Sequence, residues 1–379
     1  MEVGISFQGF SSDTQVKTNH GWKNIQDVSV KYDKVLAFDP KSFELHYIKP
    51  KEVRTKNVSG YLYRFEHNAA DLLATERQAL FLKRSAPSEY WEHLPAEEIR
   101  MTYVMPLREF YYSGDDDTGT ETFCLPEVDV KENESFRPKD IPMTPWLEFF
   151  GFWLTCGYYQ TAESEMKYAV GIKRRKDDDA YVLRLFERIG FPAEMYRKDG
   201  YTYYETHSQQ LWEYLSEFGE LGERYVPHEF LELNAHYLET LLLGCEMGNV
   251  RIYENFIVYV SQSKKVIEAI QELILKIYGL IAQMHYLYIP IKGQPVRHWY
   301  IRACTNGDIA HWTAQYQKPK KQKYQGLVCA LVLEKNWPML TRRNDVIIFS
   351  GSNEAMHHKI HDCQNERDLT RPPTTPDDS

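Results

Sequence analysis

Several features that identify common protein classes are missing from this sequence. None of its cysteines forms a C-x-x-C pair or has the spacing of metal ligands, and this usage is typical of reduced, buried thiols in a cytosolic protein. A phosphate-binding glycine loop and a serine-hydrolase elbow are absent as well. The six cysteines are Cys124, Cys156, Cys245, Cys304, Cys329 and Cys363.

Export and membrane signals are also lacking. The sequence begins Met-Glu-Val-Gly-Ile-Ser, without the basic region and apolar run of a secretory signal. The longest strongly apolar helix that we predict is too short to span a bilayer. We therefore expect a soluble, cytoplasmic protein with no membrane partner.

The chain has no surplus of positive charge. It contains 45 Lys and Arg against 54 Asp and Glu, a net charge of −9. Phosphate contacts need clustered Lys and Arg, so this balance argues mildly against a constitutive nucleic-acid binder. The argument is only mild, because charges can be segregated on one face of a protein.

What is present indicates two kinds of domain. A chain of 379 residues exceeds one ordinary core, and its 27 Tyr, 18 Phe and 8 Trp argue against disorder. β-rich runs dominate residues 13–83, short strands continue to 140, and β patterning returns at 324–352. Helical periodicity with intervening hairpins fills the middle. The polar, proline-rich residues after 364 are predicted to be disordered. Helices are expected at 145–156, 178–189, 207–218, 235–248 and 263–278.

Two of these helices end in similar sequences, Gly151-Phe-Trp-Leu-Thr-Cys-Gly157 and Gly244-Cys-Glu-Met-Gly-Asn-Val250, 93 residues apart. Each has small residues four apart, which lie on one helical face. We therefore expect the two helices to pack with their backbones almost touching, related by a pseudo-twofold axis. Cys156 and Asn249 would then come close together where the helices end.

Further segments of the chain form an ordered series with the two helix sequences. They begin at Gly9, Lys34, Leu73, Trp91, Met105, Gly151, Gly219, Gly244 and Trp337. Their order and spacing resemble an intein, that is, a self-splicing Hint fold interrupted by a LAGLIDADG (DOD-type) homing endonuclease. The resemblance spans residues 9–353 and implies an α+β fold. A split all-β Hint-like domain would occupy 9–140 and 323–353. The inserted LAGLIDADG domain, 141–322, would have two αββαββα-type halves, and a polar tail would follow at 354–379.

The residues at the splicing positions differ from those of the family. The resemblance implies a Cys or Ser nucleophile where Gly9 stands and a His where Gln78 stands. At the far end, either Ser352 replaces the cyclising Asn, or Asn353 serves and is followed by Glu354. An acidic residue of the family is replaced by Ala330. We therefore predict that splicing is lost.

The nuclease positions are substituted too. The resemblance implies one metal-binding carboxylate at the end of each LAGLIDADG helix, where Cys156 and Asn249 stand. Glu246 lies three residues before Asn249, so its side chain is rotated about 60° around the helix axis from that position. Glu163 and Glu165 lie in the loop that follows the helix ending at Cys156. We predict that metal-dependent cleavage is lost. No cofactor is expected, and Mg²⁺ would be needed only if nuclease activity survives.

DNA binding does not depend on those positions. In the family, antiparallel sheets beneath the helices form a saddle over duplex DNA, and basic residues here fall on or near the equivalent segments. The competing interpretation is that these basic residues form a solvated surface, with a basic linker loop at 318–323. His357, His358 and His361 are expected to form a surface cluster rather than a metal site. The predicted DNA-binding residues are Lys167, Lys173, Arg174, Arg175, Arg251, Arg302, Lys320 and Lys321.

These observations predict an intein-derived, homing-endonuclease-like monomer that retains binding to double-stranded DNA and needs no small-molecule cofactor. The alternative is a domesticated structural or interaction protein that uses the scaffold without catalysis. Arg342-Arg-Asn344 resembles inteins of viral packaging proteins, which favours a phage or viral origin. Neither splicing nor cleavage is required by either hypothesis.

Overall fold

The computed structural model describes residues 7–67, 70–84, 90–99, 103–114, 121–130, 134–160, 168–175, 179–248, 250–253, 256–291, 293–304, 319–351 and 360–361. The chain forms two compact units. We call Met1–Tyr111 with Ala310–Ser379 the split unit, and Tyr112–Ile309 the inserted unit. Residues 112–140 thus belong to the inserted unit, whereas the sequence-based boundaries 9–140, 141–322, 323–353 and 354–379 stay predictions.

The first segment of the split unit consists almost entirely of strands, joined by short turns. Its two 3₁₀ turns are Ile25–Asp27 and Ala96–Glu98. The strands are β1 Phe10–Ser11, β2 Gln15–Thr18, β3 Gly21–Asn24, β4 Val35–Phe38, β5 Leu45–Ile48, β6 Pro50–His67, β7 Ala70–Ala74, β8 Ala79–Arg84, β9 Tyr90–Pro95 and β10 Tyr103–Val104.

The inserted unit contains the helices of the described residues. Its strands are β11 Thr122–Leu125, β12 Val128–Val130, β13 Glu134–Phe136, β14 Lys139–Pro142, β15 Gly157–Gln160, β16 Ala169–Arg174, β17 Glu194–Lys198, β18 Tyr201–His207, β19 Val250–Ile252, β20 Phe256–Ser261, β21 Met284–Ile291 and β22 Gln294–Cys304. Its helices are α1 Met143–Cys156, α2 Asp179–Arg188, α3 Gln209–Ser216, α4 His228–Leu231, α5 Ala235–Met247 and α6 Lys264–Tyr278.

The chain then returns to the split unit with β23 Lys320–Leu333, β24 Met339–Arg343, β25 Val346–Ser350 and β26 Ile360–His361. β1, β23, β6 and β7 pair in a closed ring, and β25, β24, β2, β4 and β5 pair in that order in an open sheet with β3 beside β2. A third sheet has the order β10-β8-β9-β26. Strands from both ends of the chain therefore pair within one β unit.

The inserted unit contains a structural repeat. α1 is followed by β15, β16, α2, β17 and β18, and α5 is followed by β19, β20, α6, β21 and β22. The two sheets have matching orders, β15-β16-β18-β17 and β19-β20-β22-β21, and all their pairings are antiparallel. We call them the first sheet and the second sheet. The repeat predicted from the two opening helices is confirmed as two αββαββ series.

Local sequence explains the helix boundaries. α5 begins after Asn234 and α6 after Ser263, and each of these side chains accepts a hydrogen bond from a backbone N–H in the first turn. Gly279 ends α6 in the left-handed conformation, with φ of 63°. α1 is buried on nearly every side, because most of its residues are apolar. The predicted helices agree with α1, α2, α3, α5 and α6, whereas the short α4 was not predicted.

The proline-containing segment before α1 contains β14, which pairs with β11. One predicted connection differs from the structure. The segment predicted to be a basic loop contains Lys320 and Lys321, which begin β23 and pair with Tyr63 and Arg64 of β6. No helix within the described residues is long and apolar enough to cross a membrane. The predicted disordered tail lies outside the described residues.

Candidate nucleic-acid interface

The centre of the inserted unit is the contact between α1 and α5. A β-carbon added to Gly151 would lie 2.4 Å from the carbonyl oxygen of Leu241 and 2.9 Å from the amide nitrogen of Cys245. One added to Gly244 would lie 2.3 Å from the carbonyl oxygen of Glu148. Only glycine fits at both positions, so the predicted close packing of the two helix backbones is confirmed.

The contact continues to the ends of the helices, where Cys156 is half-buried. A β-carbon on Gly248 would lie 1.8 Å from Thr155 Oγ1 and 3.5 Å from Cys156 Sγ. The Cys156 thiol donates to the carbonyl oxygen of Phe152 at 3.4 Å. Burial raises the pKa of this thiol to about 12. Asn249 lies outside the described residues, so its proximity to Cys156 stays a prediction.

The donor atoms near Cys156 do not fit a divalent cation. A neutral thiol is a poor ligand for Mg²⁺, which prefers carboxylate and other oxygen donors. The Glu246 carboxylate accepts a hydrogen bond from the hydroxyl of Tyr259, and burial raises the pKa of Glu246. Within the described residues no group of three or more His, Cys, Asp or Glu side chains could hold a metal ion. Glu163 and Glu165 lie outside that part of the chain.

The first sheet presents cations and tyrosines on the face turned away from the helices, which we call the outward face. Side chains along β18 alternate, so that Tyr204 is buried while Tyr201 and Tyr203 are half-exposed. The exposed Lys173 pairs with Tyr203, and its ammonium lies 4.2 Å from the Tyr201 ring centroid. Arg175 donates to the Tyr201 hydroxyl at 2.9 Å. Lys173 and Arg175 are therefore placed to meet an anionic partner.

Arg174 lies on the opposite face. It follows Lys173 in β16, so strand alternation turns its side chain toward the helices. Its guanidinium lies 5.2 Å from the ring centroid of Phe152 in α1. Arg174 therefore does not share the outward face of Lys173 and Arg175, and its predicted contact with DNA stays a prediction. Lys167, predicted beside them, lies outside the described residues.

Glu205 connects the tyrosines of this outward face. It accepts hydrogen bonds from Tyr158 at 2.7 Å and Tyr196 at 3.3 Å. Burial and the hydrogen bond to Glu205 raise the pKa of Tyr158, which keeps its hydroxyl protonated as a donor. Tyr196 stacks in parallel on Tyr203, with ring centroids 5.0 Å apart. None of these residues was predicted from the sequence, although the alternation along β18 indicates which of them face outward.

The second sheet carries arginines at its outward face. Arg251 pairs with Val258, which in turn pairs with Arg302, so the two arginines lie on one row across three strands. Both arginines are exposed. The Arg302 guanidinium lies 3.8 Å from the ring centroid of Phe256, which stacks on Tyr253 at 4.5 Å. Arg251 and Arg302 thus lie exposed on the second sheet, and their predicted contact with DNA stays a prediction.

A second aromatic cluster lies on β21 and β22, on the face of the second sheet opposite to Arg302. Tyr286 and Tyr288 are each 54% exposed, and Tyr286 pairs with Trp299. Arg297 donates to the Tyr288 hydroxyl at 2.8 Å, and its guanidinium lies 4.9 Å from the Tyr286 ring centroid. Arg297 and Arg302 are five residues apart in β22, so they point to opposite faces.

Lys320 and Lys321 are exposed, but they belong to the split unit. Lys321 lies 5.9 Å from the ring centroid of Tyr63, its partner on β6. Neither lysine belongs to the two sheets of the inserted unit. The histidines at 357 and 358 lie outside the described residues.

In the split unit two of the predicted splicing positions, Gly9 and Gln78, both form hydrogen bonds with Thr75. The Gly9 amide donates to Thr75 Oγ1 at 3.1 Å, and the Thr75 amide donates to the Gly9 carbonyl at 2.9 Å. Gln78 is buried, and its amide donates to the carbonyl oxygen of Gly351 at 3.4 Å. The adjoining residues 352–354 lie outside the described residues. Ala330 is buried in β23.

Comparison with known proteins gives distant matches. No protein-family model matches the sequence. A stretch of 257 residues is 25% identical to the DNA-directed RNA polymerase subunit beta C-terminal section of Stigeoclonium helveticum, covering 61% of this chain. The match spans only 22% of that relative.

Structural neighbours are LAGLIDADG proteins and cover less than half of the chain. I-DmoI in complex with DNA and Mn superposes with a TM-score of 0.33 and 9% identity, over 42% of this chain and 89% of I-DmoI. The N-terminal LAGLIDADG domain of DUF199/WhiA superposes with a TM-score of 0.30 and 11% identity, over 44% of this chain and 77% of that domain.

Proposed function

We propose that the inserted unit binds duplex DNA along the outward faces of its two sheets and does not cleave it. The observation that carries the proposal is the repeat itself. Two sheets of matching strand order each present exposed cations on the outward face, Lys173 and Arg175 on the first and Arg251 and Arg302 on the second. Antiparallel strands can enter a DNA groove, and Lys and Arg supply the phosphate contacts.

The geometry of the helices supports one continuous interface. α1 ends where β15 begins, and α5 ends two residues before β19, so each helix leads into an edge strand of its own sheet. Because α1 and α5 pack against each other, the two sheets flank the ends of the helix pair. A duplex that follows both outward faces would pass beneath those ends.

The overall acidity of the chain does not oppose this proposal. The net charge of −9 is distributed over 379 residues, whereas four basic residues named above are exposed on the two outward faces. Glu205 is the acidic residue embedded among the tyrosines of the first sheet, where two hydroxyl donors solvate its charge. Local charge, rather than net charge, determines where a phosphate backbone binds.

The loss of cleavage is supported by the chemistry at the ends of the helices. A thiol that stays protonated at neutral pH, at Cys156, replaces the carboxylate that metal-dependent hydrolysis would use. A Mg²⁺-dependent plasmid cleavage assay should therefore give no products with the native chain. Cleavage by the native chain would contradict this part of the proposal, whereas cleavage only by the Cys156→Asp, Asn249→Asp variant would support it.

The split unit is proposed to be a Hint-like domain without splicing activity. Support comes from the meeting of Gly9, Thr75, Gln78 and the carbonyl of Gly351 in one place. Glycine cannot accept an acyl group, and the amide of glutamine cannot act as an acid near neutral pH. When the chain is expressed between two reporter domains, the fusion should remain at full length, and release of ligated reporters would refute the proposal.

DNA binding is tested with a random-sequence duplex of about three helical turns in the presence of EDTA. Fluorescence anisotropy should show an affinity that falls steeply between about 50 and 200 mM salt, because each phosphate contact contributes about −0.9 to the logarithmic slope. Absence of binding at low salt, or an affinity that does not depend on salt, would refute the proposal.

A further inference from the structure

Two arginines flank Cys156 at the C-terminal end of α1. The Arg174 guanidinium lies over Phe152, and the Arg224 guanidinium lies 3.9 Å from the Trp153 ring centroid. Viewed down the helix, Cys156 projects about 40° from Phe152 and about 60° from Trp153, between the two. The place that the LAGLIDADG resemblance implies for a metal ligand therefore lies between two permanent cations.

The protein uses only part of the hydrogen-bonding capacity of these arginines. Arg224 is 1% exposed and donates through Nη1 to the Trp153 carbonyl oxygen at 2.7 Å. In both Arg174 and Arg224 the Nε donor is buried and has no acceptor among the described residues. Buried guanidinium donors normally have acceptors, so the pair has the capacity to hold an external anion.

Capping of the helix does not account for both charges. The C-terminal end of a helix carries about half a negative charge, which Arg224 already offsets through its bond to Trp153. The Cys156 thiol donates a hydrogen bond to the Phe152 carbonyl oxygen, and it supplies no carboxylate between the two arginines. Glu220 is the carboxylate that acts on Arg224. Among the described residues no carboxylate forms an ion pair with Arg174.

We propose that the end of α1 binds an anion, a backbone phosphate of duplex DNA, at the place where the family resemblance implies a divalent cation. Half-exposed Arg174 is the donor to this phosphate, and buried Arg224 supplies fixed charge behind it. This inference rests on the proposed function, because a duplex on both outward faces passes beneath the helix pair. A phosphate held by arginines rather than by a metal would be bound without hydrolysis.

The test uses inorganic pyrophosphate and Mg²⁺ separately, at matched ionic strength, with the full chain. Pyrophosphate should raise the thermal midpoint of the native chain and of Arg184→Gln, a control on the exposed face of α2. The Kd for pyrophosphate should be about tenfold weaker in Arg174→Gln, because a charge-assisted bond is lost. Arg174→Lys, which keeps the charge and the packing, should show an intermediate loss. Mg²⁺ alone should not raise the midpoint.

Three results would overturn the proposal. Stabilisation by Mg²⁺ but not by pyrophosphate would indicate a cation site. An equal pyrophosphate effect in Arg174→Gln would place the anion elsewhere, and no effect on the native chain would mean that the arginines only cap the helix. A fourth result would separate the two proposals. If the native chain does not bind duplex DNA but is stabilised by pyrophosphate, and Arg174→Gln is not stabilised, the proposed function is refuted and the anion site stands.

Discussion

Gly244 brings α5 so close to α1 that a β-carbon at this position would lie 2.3 Å from the carbonyl oxygen of Glu148. The obstacle is backbone rather than a flexible side chain, so the two helices must separate to accept any other residue. Separation would open the core that Trp146 and Trp153 share, since both are fully buried. The contact is therefore expected to fix the distance between the two sheets.

Gly244→Ala should lower the free energy of unfolding by about 3 kcal/mol, because overpacking a rigid contact is costly. The matched control is Gly222→Ala, where an added β-carbon meets nothing within 4 Å. Thermal unfolding followed by circular dichroism measures both. Equal midpoints for the two variants would contradict the account of the helix contact.

Gly9→Cys should not restore splicing, even when it is combined with Gln78→His. A β-carbon at Gly9 would lie 2.6 Å from the carbonyl oxygen of Cys329, so the new nucleophile would displace the backbone. We expect a lower thermal midpoint and an intact fusion protein on gel electrophoresis. Ser12→Cys adds a thiol nearby at a half-buried position and is the control. Processing of the Gly9→Cys fusion would show that the backbone can accommodate the nucleophile.

The stability of the split unit should fall in acid through Asp33, whose side chain is fully buried. Burial alone would raise the pKa of Asp33, but hydrogen bonds from Lys23, the Ser29 amide and His20 hold it below the ordinary value of 3.8. A carboxylate whose pKa is lowered in the folded state stabilises the fold at any pH above its pKa in the unfolded state. This stabilisation is lost as the pH falls below 3.8 and through the pKa of the folded state.

Asp33→Asn tests this dependence. The variant should have a lower thermal midpoint at neutral pH and a smaller further decrease between about pH 5 and pH 2 than the native chain. The control is Asp27→Asn. The Asp27 carboxylate is exposed and accepts a hydrogen bond from the Asn24 side-chain amide at 3.0 Å. Identical pH profiles for the native chain and Asp33→Asn would exclude Asp33 as the source.

Glu205→Gln should tighten binding to duplex DNA about two- to threefold, because one negative charge near the phosphates is removed at a screened distance. The glutamine oxygen can still accept the hydrogen bond from Tyr158, so the tyrosines should keep their positions. Glu187→Gln, on the exposed side of α2, is the matched control. Weaker binding by Glu205→Gln, measured by anisotropy at about 100 mM salt, would instead indicate that Glu205 contacts a base.

The helices of the inserted unit could be predicted within about two residues, because apolar periodicity and capping residues such as Asn234 and Ser263 are local signals. The close approach of α1 and α5 could also be predicted from Gly151 and Gly244, because a glycine in each helix allows the two backbones to come into contact. The aligned repeat of strands followed from the same pattern. Each of these signals lies within a short stretch of sequence, although the two halves of the repeat are 93 residues apart.

Features that depend on distant partners could not be predicted in this way. The first half of β6 is rich in charge and exposed, and it forms a strand because it pairs with β23, some 270 residues later. The position of Arg174 over Phe152 depends on how β16 packs against α1, and that contact is not visible in the sequence. The convergence of Tyr158 and Tyr196 on Glu205 likewise joins three separate strands.

The most direct test of DNA binding by the outward faces compares Arg302→Gln with Arg297→Gln in the presence of EDTA. The two arginines lie on one strand and on opposite faces. The two variants have the same net charge, and each has lost a cation from a different face. We predict that Arg302→Gln weakens duplex binding about tenfold and reduces the salt slope by about 1, while Arg297→Gln binds like the native chain. Equal losses in both variants, or a loss confined to Arg297→Gln, would contradict the account.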